Sequence, residues 1–524
     1  MSKKAYPQLV LSLFITMGLL AGGLWFMRRI APRLFPDLGE QMGIEGNQPS
    51  RARGTLSILG DTFSGYSTFR SPAFQDALAE VGLTLQYADE FDQAARAERL
   101  SQGDVDLLVT TLDQFLQQRP QGKIVGLIDR TVGADAVVLN TQQFPDLRSL
   151  NDLTRLIQQA QAQGQRLGIA FAGDTPSEYL ALVLDTKFEA FNLADFQITE
   201  VADASEAFAL MQDPANNIAI AVLWEPYVTQ ARQQGHTVVL SSQDAPGTIV
   251  DVLVASDRLI QSNPEILNEF LAAYYRRIDA NVRDSSQLQT QIAEDGNLSA
   301  SDASAILQGI EFFTSVEAQS WLTDGTLERR IVATAAVLTL SGRIPNVPDT
   351  PASLFTQEFI TRAATNTQTL IDLIRADNPE LADRLAGQGR AINAPAPQLE
   401  ASQVQVAPDI GNLQVQGQVE FATGSAQLTA QGQQTLNALT TEIAEFNPQT
   451  VAVRVIGHTS STGTADLNLR LSQERAQAVV DYLRGRGIQH NIVAEGKGFS
   501  EPLPGIPSED SRNQRTEIRL VRVN

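Results

Sequence analysis

Short apolar runs alternate with helical patterns through the middle of the chain. The strand-like runs cover residues 134–139, 167–170 and 218–222, and a helical pattern covers 176–191. This alternation is typical of α/β layers built on a largely parallel sheet.

If this region forms two lobes, the runs indicate where the chain crosses between them. We expect it to leave lobe one near Leu139, to build lobe two to about Leu240, and to return near Asp251. The helical stretch 256–340 then completes lobe one, with Trp321 packed inside it.

The last hundred or so residues follow a different pattern. Thr429 stands at an N-cap position before apolar residues at helical spacing, and Pro448 ends that helix. A second helix carries an apolar stripe over 476–483 and ends near Gly485 and Gly487. Strand patterns cover 415–421, 451–456, 492–496 and 516–523. Together they predict an α+β sandwich with two main helices.

The N-terminus contains an apolar run, residues 9–27, of the length needed to cross a bilayer. Lysines precede it and arginines follow it, so the positive-inside rule leaves its orientation open. A poor cleavage site at 20–23 favours a retained signal anchor over 1–33, and a cleaved signal peptide is the alternative. The run contains no Asp or Glu, which argues against a proton-driven stator.

Composition narrows the class of protein. The chain has 60 acidic and 39 basic residues and a formal charge of −21, which argues against nucleic acid as a partner. It has no cysteine, so acylation as a lipoprotein, disulfides and thiolate metal sites are excluded. Its three histidines are far apart, and no zinc spacing, nucleophile elbow or phosphate-binding loop occurs. We expect no enzyme, no cofactor and no metal.

Three motifs lie in order in the C-terminal region, at residues 457–463, 468–476 and 513–515. Asn468, Ser472 and Arg475 are spaced to share one helix face, and an Arg guanidinium matches a carboxylate. The motifs resemble the OmpA-like C-terminal domain, which binds peptidoglycan in bacterial envelopes. The resemblance implies that Arg475 takes a carboxylate of diaminopimelate in the stem peptide, and it places Asn513 and Arg515 in the same site.

Ser460 stands where the family has an Asp that takes the ammonium group of diaminopimelate. A hydroxyl accepts from an ammonium group but supplies no charge, so binding should weaken by about 1.5–3 kcal/mol. The alternative is that Arg475 pairs with an acidic neighbour and Ser460 caps a helix.

The middle region resembles type II periplasmic solute-binding proteins of the nitrate, sulfonate or thiamine-precursor transport kind. The phrases that carry the resemblance lie at 56–61, 103–111, 129–138, 222–226 and 249–254. The resemblance implies two lobes that close on a small solute, with an ABC permease as a possible partner.

Loops after the strands supply the candidate ligand residues. The loop that opens the helix at Pro176 has free backbone N–H groups and suits an anionic group. Arg130 is a candidate counter-charge, although a solvated surface role is an alternative. Hydroxyl-rich loops also occur in α/β proteins as plain caps. The candidates are Thr62, Ser64, Thr110, Thr111, Gly173, Asp174, Thr175, Trp224 and Asp251.

The predicted fold class is α/β: an N-terminal membrane helix, a two-lobed periplasmic-binding-protein domain, then an α+β OmpA-like domain. The boundaries are a signal anchor at 1–33, a tether at 34–53, the solute-binding domain at 54–345, a helical stalk and Ala/Pro/Gln linker at 346–408, and the wall-binding domain at 409–524. We expect a single-pass inner-membrane protein whose bulk lies in the periplasm. It would bind a small anionic or polar solute and peptidoglycan. The alternative is a structural scaffold whose solute-binding fold has lost its ligand.

Overall fold

A computed structural model describes residues 54–388, 396–415 and 417–523 of the 524-residue chain. The predicted anchor at 1–33 and tether at 34–53 lie outside these described residues. Within the described part of the chain, no helix combines the length and apolar character needed to span a bilayer.

Fifteen strands form three sheets in the described residues. They are β1 Gly54–Gly60, β2 Leu83–Asp89, β3 Leu107–Thr111, β4 Gly122–Thr131, β5 Asp135–Leu139, β6 Gly168–Ala172, β7 Gln197–Val201, β8 Ile218–Trp224, β9 Thr237–Ser241, β10 Val250–Ser256, β11 Ile310–Phe312, β12 Asp409–Asn412, β13 Val451–His458, β14 Ile492–Gly498 and β15 Thr516–Arg522.

The α-helices surround these sheets. Those of lobe one are Ser67–Arg70, Pro72–Glu80, Gln93–Gln102, Leu112–Gln118, Asp257–Ser262, Pro264–Arg283, Ser285–Asp295, Ala300–Gln308, Ser315–Thr323 and Thr326–Leu340. Those of lobe two are Leu153–Ala162, Pro176–Lys187, Ala204–Gln212 and Tyr227–Gln233. The helices further along the chain are Thr361–Ile374, Pro379–Leu385, Ala401–Val406, Ala430–Ala444 and Ala465–Gly485.

The sheet of lobe one has the order β11-β4-β10-β3-β1-β2, and that of lobe two has the order β7-β6-β8-β5-β9. The strands that follow a helical crossover are parallel, as in β1–β3 and β6–β8. Strands that enter after a change of lobe, β5 and β10, run antiparallel to their neighbours. Each sheet is therefore mixed, less parallel than the sequence pattern predicts.

The chain leaves lobe one earlier than predicted. Strand β4 ends at Thr131, and β5, which contains Leu139, already belongs to the sheet of lobe two. The two apolar runs on either side of residues 132–134 look alike in sequence, and only their hydrogen-bonding partners separate them. The return through residues 242–249 lies where it was expected, between β9 and β10.

The predicted stalk is a helical hairpin that packs on lobe one. Helix Thr361–Ile374 buries Ala363, Thr367 and Ile371 against helices Pro264–Arg283 and Ser315–Thr323. The Thr367 hydroxyl donates to Asp279 at 2.6 Å and accepts from Ser315 at 2.7 Å. The hairpin is therefore part of the lobe-one body.

The C-terminal sheet has the order β12-β15-β13-β14, with helices Ala430–Ala444 and Ala465–Gly485 beside it. The Thr429 hydroxyl accepts from the Gly432 amide at 3.1 Å, which confirms the predicted cap. The predicted strand at 415–421 is wrong: its described residues form a loop against helix Ala430–Ala444, and β12 takes the sheet edge. Its apolar residues Val415, Val419 and Phe421 are half-buried against the core, and a strand pattern cannot distinguish such packing from burial in a sheet.

The C-terminal domain is docked on lobe two. Lys187 of lobe two forms ion pairs with Glu442 and Glu445, and Phe188 packs edge-on against Phe446 at a ring separation of 6.2 Å. The backbones also join, since the Gln414 amide donates to the Lys187 carbonyl at 2.8 Å.

The same interface reaches the segment that connects the lobes. The Asn447 amide donates to the Asp244 carbonyl at 2.8 Å, and the Asn447 side chain donates to the Gln243 carbonyl at 3.0 Å. Arg522 forms an ion pair with the buried carboxylate of Asp244. The C-terminal domain and lobe two therefore form one packed body.

Two glycines let helix Ala465–Gly485 approach the C-terminal sheet closely. A Cβ on Gly457 would lie 2.2 Å from the Ser472 carbonyl oxygen, and one on Gly496 would lie 2.5 Å from the Gln473 nitrogen. Both obstacles are backbone atoms, which cannot rotate away as a side chain can.

We predict that Gly457→Ala lowers the free energy of unfolding by about 1–3 kcal/mol, because the helix must move off the sheet. Urea denaturation of the purified chain measures this change. Gly485→Ala is the matched control: no atom lies within 4 Å of its added Cβ, so it should be neutral or slightly stabilising. Equal stability of the two variants would contradict the packing argument.

Candidate functional site

Arg475 is a buried cation without an acidic partner in the described residues. Its Nε donates to the Ser425 carbonyl at 3.0 Å, and its guanidinium lies over the Phe421 ring at 5.1 Å. The residue is 8% exposed, and burial lowers its pKa. The alternative in which Arg475 pairs with an acidic neighbour finds no support in these contacts.

Asn468 and Ser472 lie on the same buried helix face as Arg475, as the spacing predicts. The Asn468 side chain donates to the carbonyls of Thr462 and Thr464 at 3.0 and 3.1 Å. The Ser472 hydroxyl accepts from the Gly498 amide at 2.9 Å. These two residues hold the motif loop and the end of β14 against the helix.

Ser460 lies in the loop between β13 and the motif helix and is 4% exposed. Its hydroxyl accepts from the Gln514 side chain at 3.2 Å. It caps no helix, because the N-cap of Ala465–Gly485 is Thr464. In the described residues Ser460 and Arg475 share no hydrogen bond, and each has its own partner, Gln514 and Ser425 respectively.

Asn513 and Arg515 have structural partners. The Asn513 side chain accepts from the Leu503 amide and donates to the Pro507 carbonyl, both at 2.7 Å. Arg515 forms an ion pair with Glu517 at 2.6 Å. Glu517 is buried, which by itself raises its pKa, but the hydrogen bond from His458 and the charges of His458, Arg515 and Arg519 hold it below its usual range.

The candidate hydroxyls of lobe one lie at the ends of the neighbouring parallel strands β1 and β3 and differ in exposure. Thr62 is exposed and Ser64 half-buried, whereas Thr110 and Thr111 are 5% and 6% exposed. The Thr110 hydroxyl donates to the Gln93 side chain at 3.1 Å. The loop after β1 is thus open to solvent, and the end of β3 is covered.

The loop at 173–175 uses its donors internally. Asp174 has a positive φ of 53°, and its amide donates to the Glu178 carboxylate at 2.7 Å. The Thr175 hydroxyl accepts from the Ser177 amide at 3.2 Å, and the Gly173 amide pairs with the Val201 carbonyl. Glu178 therefore occupies the place at the helix start that was predicted for an anion.

Two further candidates, Trp224 and Arg130, are engaged in apolar packing and in ion pairs, respectively. Trp224 is half-buried at the end of β8 and packs with the small apolar cluster of lobe two. Arg130 is 2% exposed and pairs with Glu311 at 2.8 Å and Glu317 at 3.1 Å. Its charge is neutralised inside lobe one.

Asp251 belongs to a cluster of three buried carboxyls, the other two being Asp129 of lobe one and Asp135 of lobe two. The Tyr66 hydroxyl donates to the Asp251 carboxylate. Burial raises the pKa of Asp251 to about 8 and that of Asp135 to about 7. Burial, followed by the charge of Asp251, raises the pKa of Asp129 well above its usual range. Burial therefore disfavours the ionised form of all three carboxyls.

The two lobes are in contact across the cleft. Helix Thr326–Leu340 of lobe one packs against Leu112–Gln118 of its own lobe and against Pro176–Lys187 of lobe two. Arg343 forms an ion pair with Glu178, which joins the lobes directly. Burial, opposed by hydrogen bonds and aided by the nearby charge of Glu178, raises the pKa of Asp113 to about 6.

Sequence reasoning missed the residues that complete these sites. Ser425 and Phe421 support Arg475 from a loop fifty residues away, and Gln514 supports Ser460 from the end of the chain. Gln514 lies between the predicted residues Asn513 and Arg515, so the third motif carried a signal for it. No local pattern pointed to Glu178 or Arg343.

Comparison with protein families identifies both folded parts. The model of the OmpA family matches residues 420–516, and a model described as NMT1/THI5 like matches residues 78–284. The chain thus carries an OmpA domain at its C-terminus and an NMT1/THI5-like periplasmic binding domain before it.

Curated relatives match the C-terminal part. Outer membrane protein A of Shimwellia blattae is 39% identical over 101 residues, which are 19% of this chain and 42% of that protein. The probable lipoprotein YiaD of Escherichia coli K12 is 38% identical over 111 residues, 21% of this chain and 50% of that protein. The matches to the first relatives cover from 25% to 50% of those proteins.

Solved structures match the two-lobed part. The periplasmic aliphatic sulphonate binding protein SsuA from Escherichia coli has 14% identity and a TM-score of 0.45, over 59% of this chain and 100% of that one. The periplasmic nitrate-binding protein NrtA from Synechocystis PCC 6803 has 14% identity and a TM-score of 0.46, over 62% of this chain and 90% of that one.

We predict that Asp251→Asn makes the chain less sensitive to alkaline pH. Between the usual carboxyl pKa near 4 and about 8, the unfolded state loses a proton that folded Asp251 keeps, so stability falls as pH rises. The fall in unfolding free energy from pH 5 to pH 8 should be smaller in the variant, by on the order of 3 kcal/mol.

Urea denaturation at the two pH values measures this difference. Asp146→Asn is the control, because that side chain is 81% exposed and its removal should leave the pH dependence unchanged. An unchanged pH dependence in Asp251→Asn would mean that Asp251 titrates normally in the folded state.

Proposed function

We propose that this chain is a wall-attached protein of the bacterial envelope. Its OmpA domain binds the diaminopimelate stem peptide of peptidoglycan, and its two-lobed domain takes a small solute. The predicted anchor at 1–33 would hold it in the inner membrane as a single-pass protein, with the folded domains in the periplasm.

The unpaired guanidinium of Arg475 carries the wall-binding half of this proposal. A cation that is 8% exposed and has no carboxylate partner in the described residues is costly to keep, unless an external anion completes it. The stem-peptide carboxylate is such an anion. The Arg475 Nε already donates to the Ser425 carbonyl, so the two terminal nitrogens of the guanidinium would form the contact with the carboxylate.

The two-lobed domain supports the solute half. We propose that it receives a small polar solute between the loop after β1 and lobe two, and passes or reports it to a membrane partner such as an ABC permease. The predicted anionic character of that solute finds little support at the cleft, because Glu178 and Arg130 have internal partners. We therefore favour a polar or weakly charged solute over an anion.

A structural scaffold is the second candidate, and one observation favours it. The Arg343–Glu178 pair and helix Thr326–Leu340 join the lobes, while the OmpA domain is packed on lobe two and on residues 243–244. A domain held in this way could link the membrane to the wall without binding a ligand.

We predict that Arg475→Ala weakens binding of the purified chain to isolated peptidoglycan sacculi by roughly ten- to a hundredfold. The expected loss is that of a charge-assisted hydrogen bond, about 1.5–3 kcal/mol. Co-sedimentation measured over a range of sacculus concentrations gives the affinity. In the same assay, Ser460→Asp should bind more tightly than the unaltered chain, since it restores a charge for the ammonium group.

Arg470→Ala is the control, because Arg470 lies on the same helix, is 69% exposed and pairs with Glu474. Thermal unfolding of each variant verifies that it is folded. If Arg475→Ala and Arg470→Ala bind sacculi equally well, Arg475 is not the wall-binding residue.

We predict that a small polar solute stabilises the chain against heat. At a hundred times its dissociation constant, a ligand that binds only the folded state adds about 2.7 kcal/mol, a readable shift in unfolding temperature. The panel is inorganic anions, sulfonates, amino acids and pyrimidine-like compounds, tested on the folded chain. If a compound raises the unfolding temperature, and Tyr66→Phe, which removes the hydrogen bond to Asp251, reduces that rise, the result supports a solute receptor. No shift with any compound favours the scaffold.

A further inference from the structure

A cavity lies at the junction of three parts of the chain. It has a volume of about 790 Å³, and its walls come from lobe one, the helical hairpin and the OmpA domain. Trp321 and Arg330 line it from lobe one, Glu445 and Phe446 from the OmpA domain, and Gly247 from the segment between the lobes. This volume lies in the range of small-molecule sites, about 300–1,000 Å³.

Most charged groups in this cavity have close partners. Arg130 pairs with Glu317 at 3.1 Å, and Arg375 pairs with Asp383 at 2.9 Å. The Asp324 carboxylate accepts from the Ser320 hydroxyl at 2.9 Å and the Thr326 amide at 2.8 Å. The acidic wall residue Glu445 lies 3.0 Å from the ammonium group of Lys187. Each of these groups therefore has an ion-pair or hydrogen-bond partner within the protein.

Arg330 is different. Its side chain is 20% exposed, it donates no hydrogen bond to a described residue, and its nearest carboxylate oxygen, on Glu445, is 4.0 Å away. That carboxylate is already held by Lys187. Glycine at 247 makes room for the guanidinium, since a Cβ there would lie 2.6 Å from its Nη2. A largely buried fork of donors thus lines the cavity with one long ion pair, to a carboxylate that Lys187 holds more closely.

We propose that this cavity binds a small organic carboxylate. The guanidinium of Arg330 takes the carboxylate through two parallel hydrogen bonds, the geometry that an Arg fork favours. Trp321 and Phe446 provide an apolar wall for the rest of the molecule. The bound ligand would bridge lobe one and the OmpA domain, which is packed on lobe two, and it would therefore hold the two bodies in one arrangement.

Isothermal titration of the full chain with benzoate, benzamide and acetate tests this site. Benzoate should bind, whereas benzamide, which has the same shape without the charge, should bind at least tenfold more weakly. Acetate, which lacks the apolar part, should also bind more weakly than benzoate. If benzoate and benzamide bind equally, or if benzoate does not bind at millimolar concentration, the proposal is wrong.

Variants locate the binding. Arg330→Gln should weaken benzoate at least tenfold, and Arg330→Lys, which keeps the charge but loses the fork, should weaken it by a smaller factor. Arg329→Gln is the matched control, because the neighbouring guanidinium is exposed and bonds to Thr326 at 2.8 Å. Tyr66→Phe should leave benzoate affinity unchanged. Loss of binding in Tyr66→Phe but not in Arg330→Gln would place the ligand in the cleft and overturn the proposal.

Discussion

The contact between lobe two and the C-terminal domain determines how the rest of the molecule is arranged. Its centre is Asp244, which is 1% exposed and accepts from the Ser241 amide and hydroxyl as well as from Arg522. Removing one partner of such a buried pair costs about 3–5 kcal/mol, since the other charge remains buried. The C-terminal domain is therefore a fixed extension of lobe two.

Because Asp244 lies in the segment between the lobes, the same contact bears on the cleft. The lobes join through residues 132–134 and 242–249, and the second of these is held by Asn447. Arg343 and Glu178 close the other side. Asp251 and Asp135 are buried near this junction, and burial raises the pKa of both carboxyls above the usual value.

Net charge says little about either candidate site. The chain carries −21, yet the charged groups on which both candidate sites depend are cations, Arg475 and Arg330. Each is largely buried and lies against aromatic or glycine neighbours, Phe421 and Gly247 respectively. Both can accept an external carboxylate, one on a wall polymer and the other on a free small molecule.

The sequence by itself determined the features whose partners are close along the chain. The cap at Thr429, the helix start at Pro176, the shared face of Asn468, Ser472 and Arg475, and the alternation of strands and helices all depend on neighbours within a turn or a strand. Only the tertiary structure decided the features with distant partners. The Asp174 amide donates to Glu178, and Arg130 forms ion pairs with Glu311 and Glu317. The tertiary structure also moved the sheet edge from 415–421 to 409–412. A residue's local pattern records whether it is buried, but the group that satisfies its charge or hydrogen bond can lie hundreds of residues away.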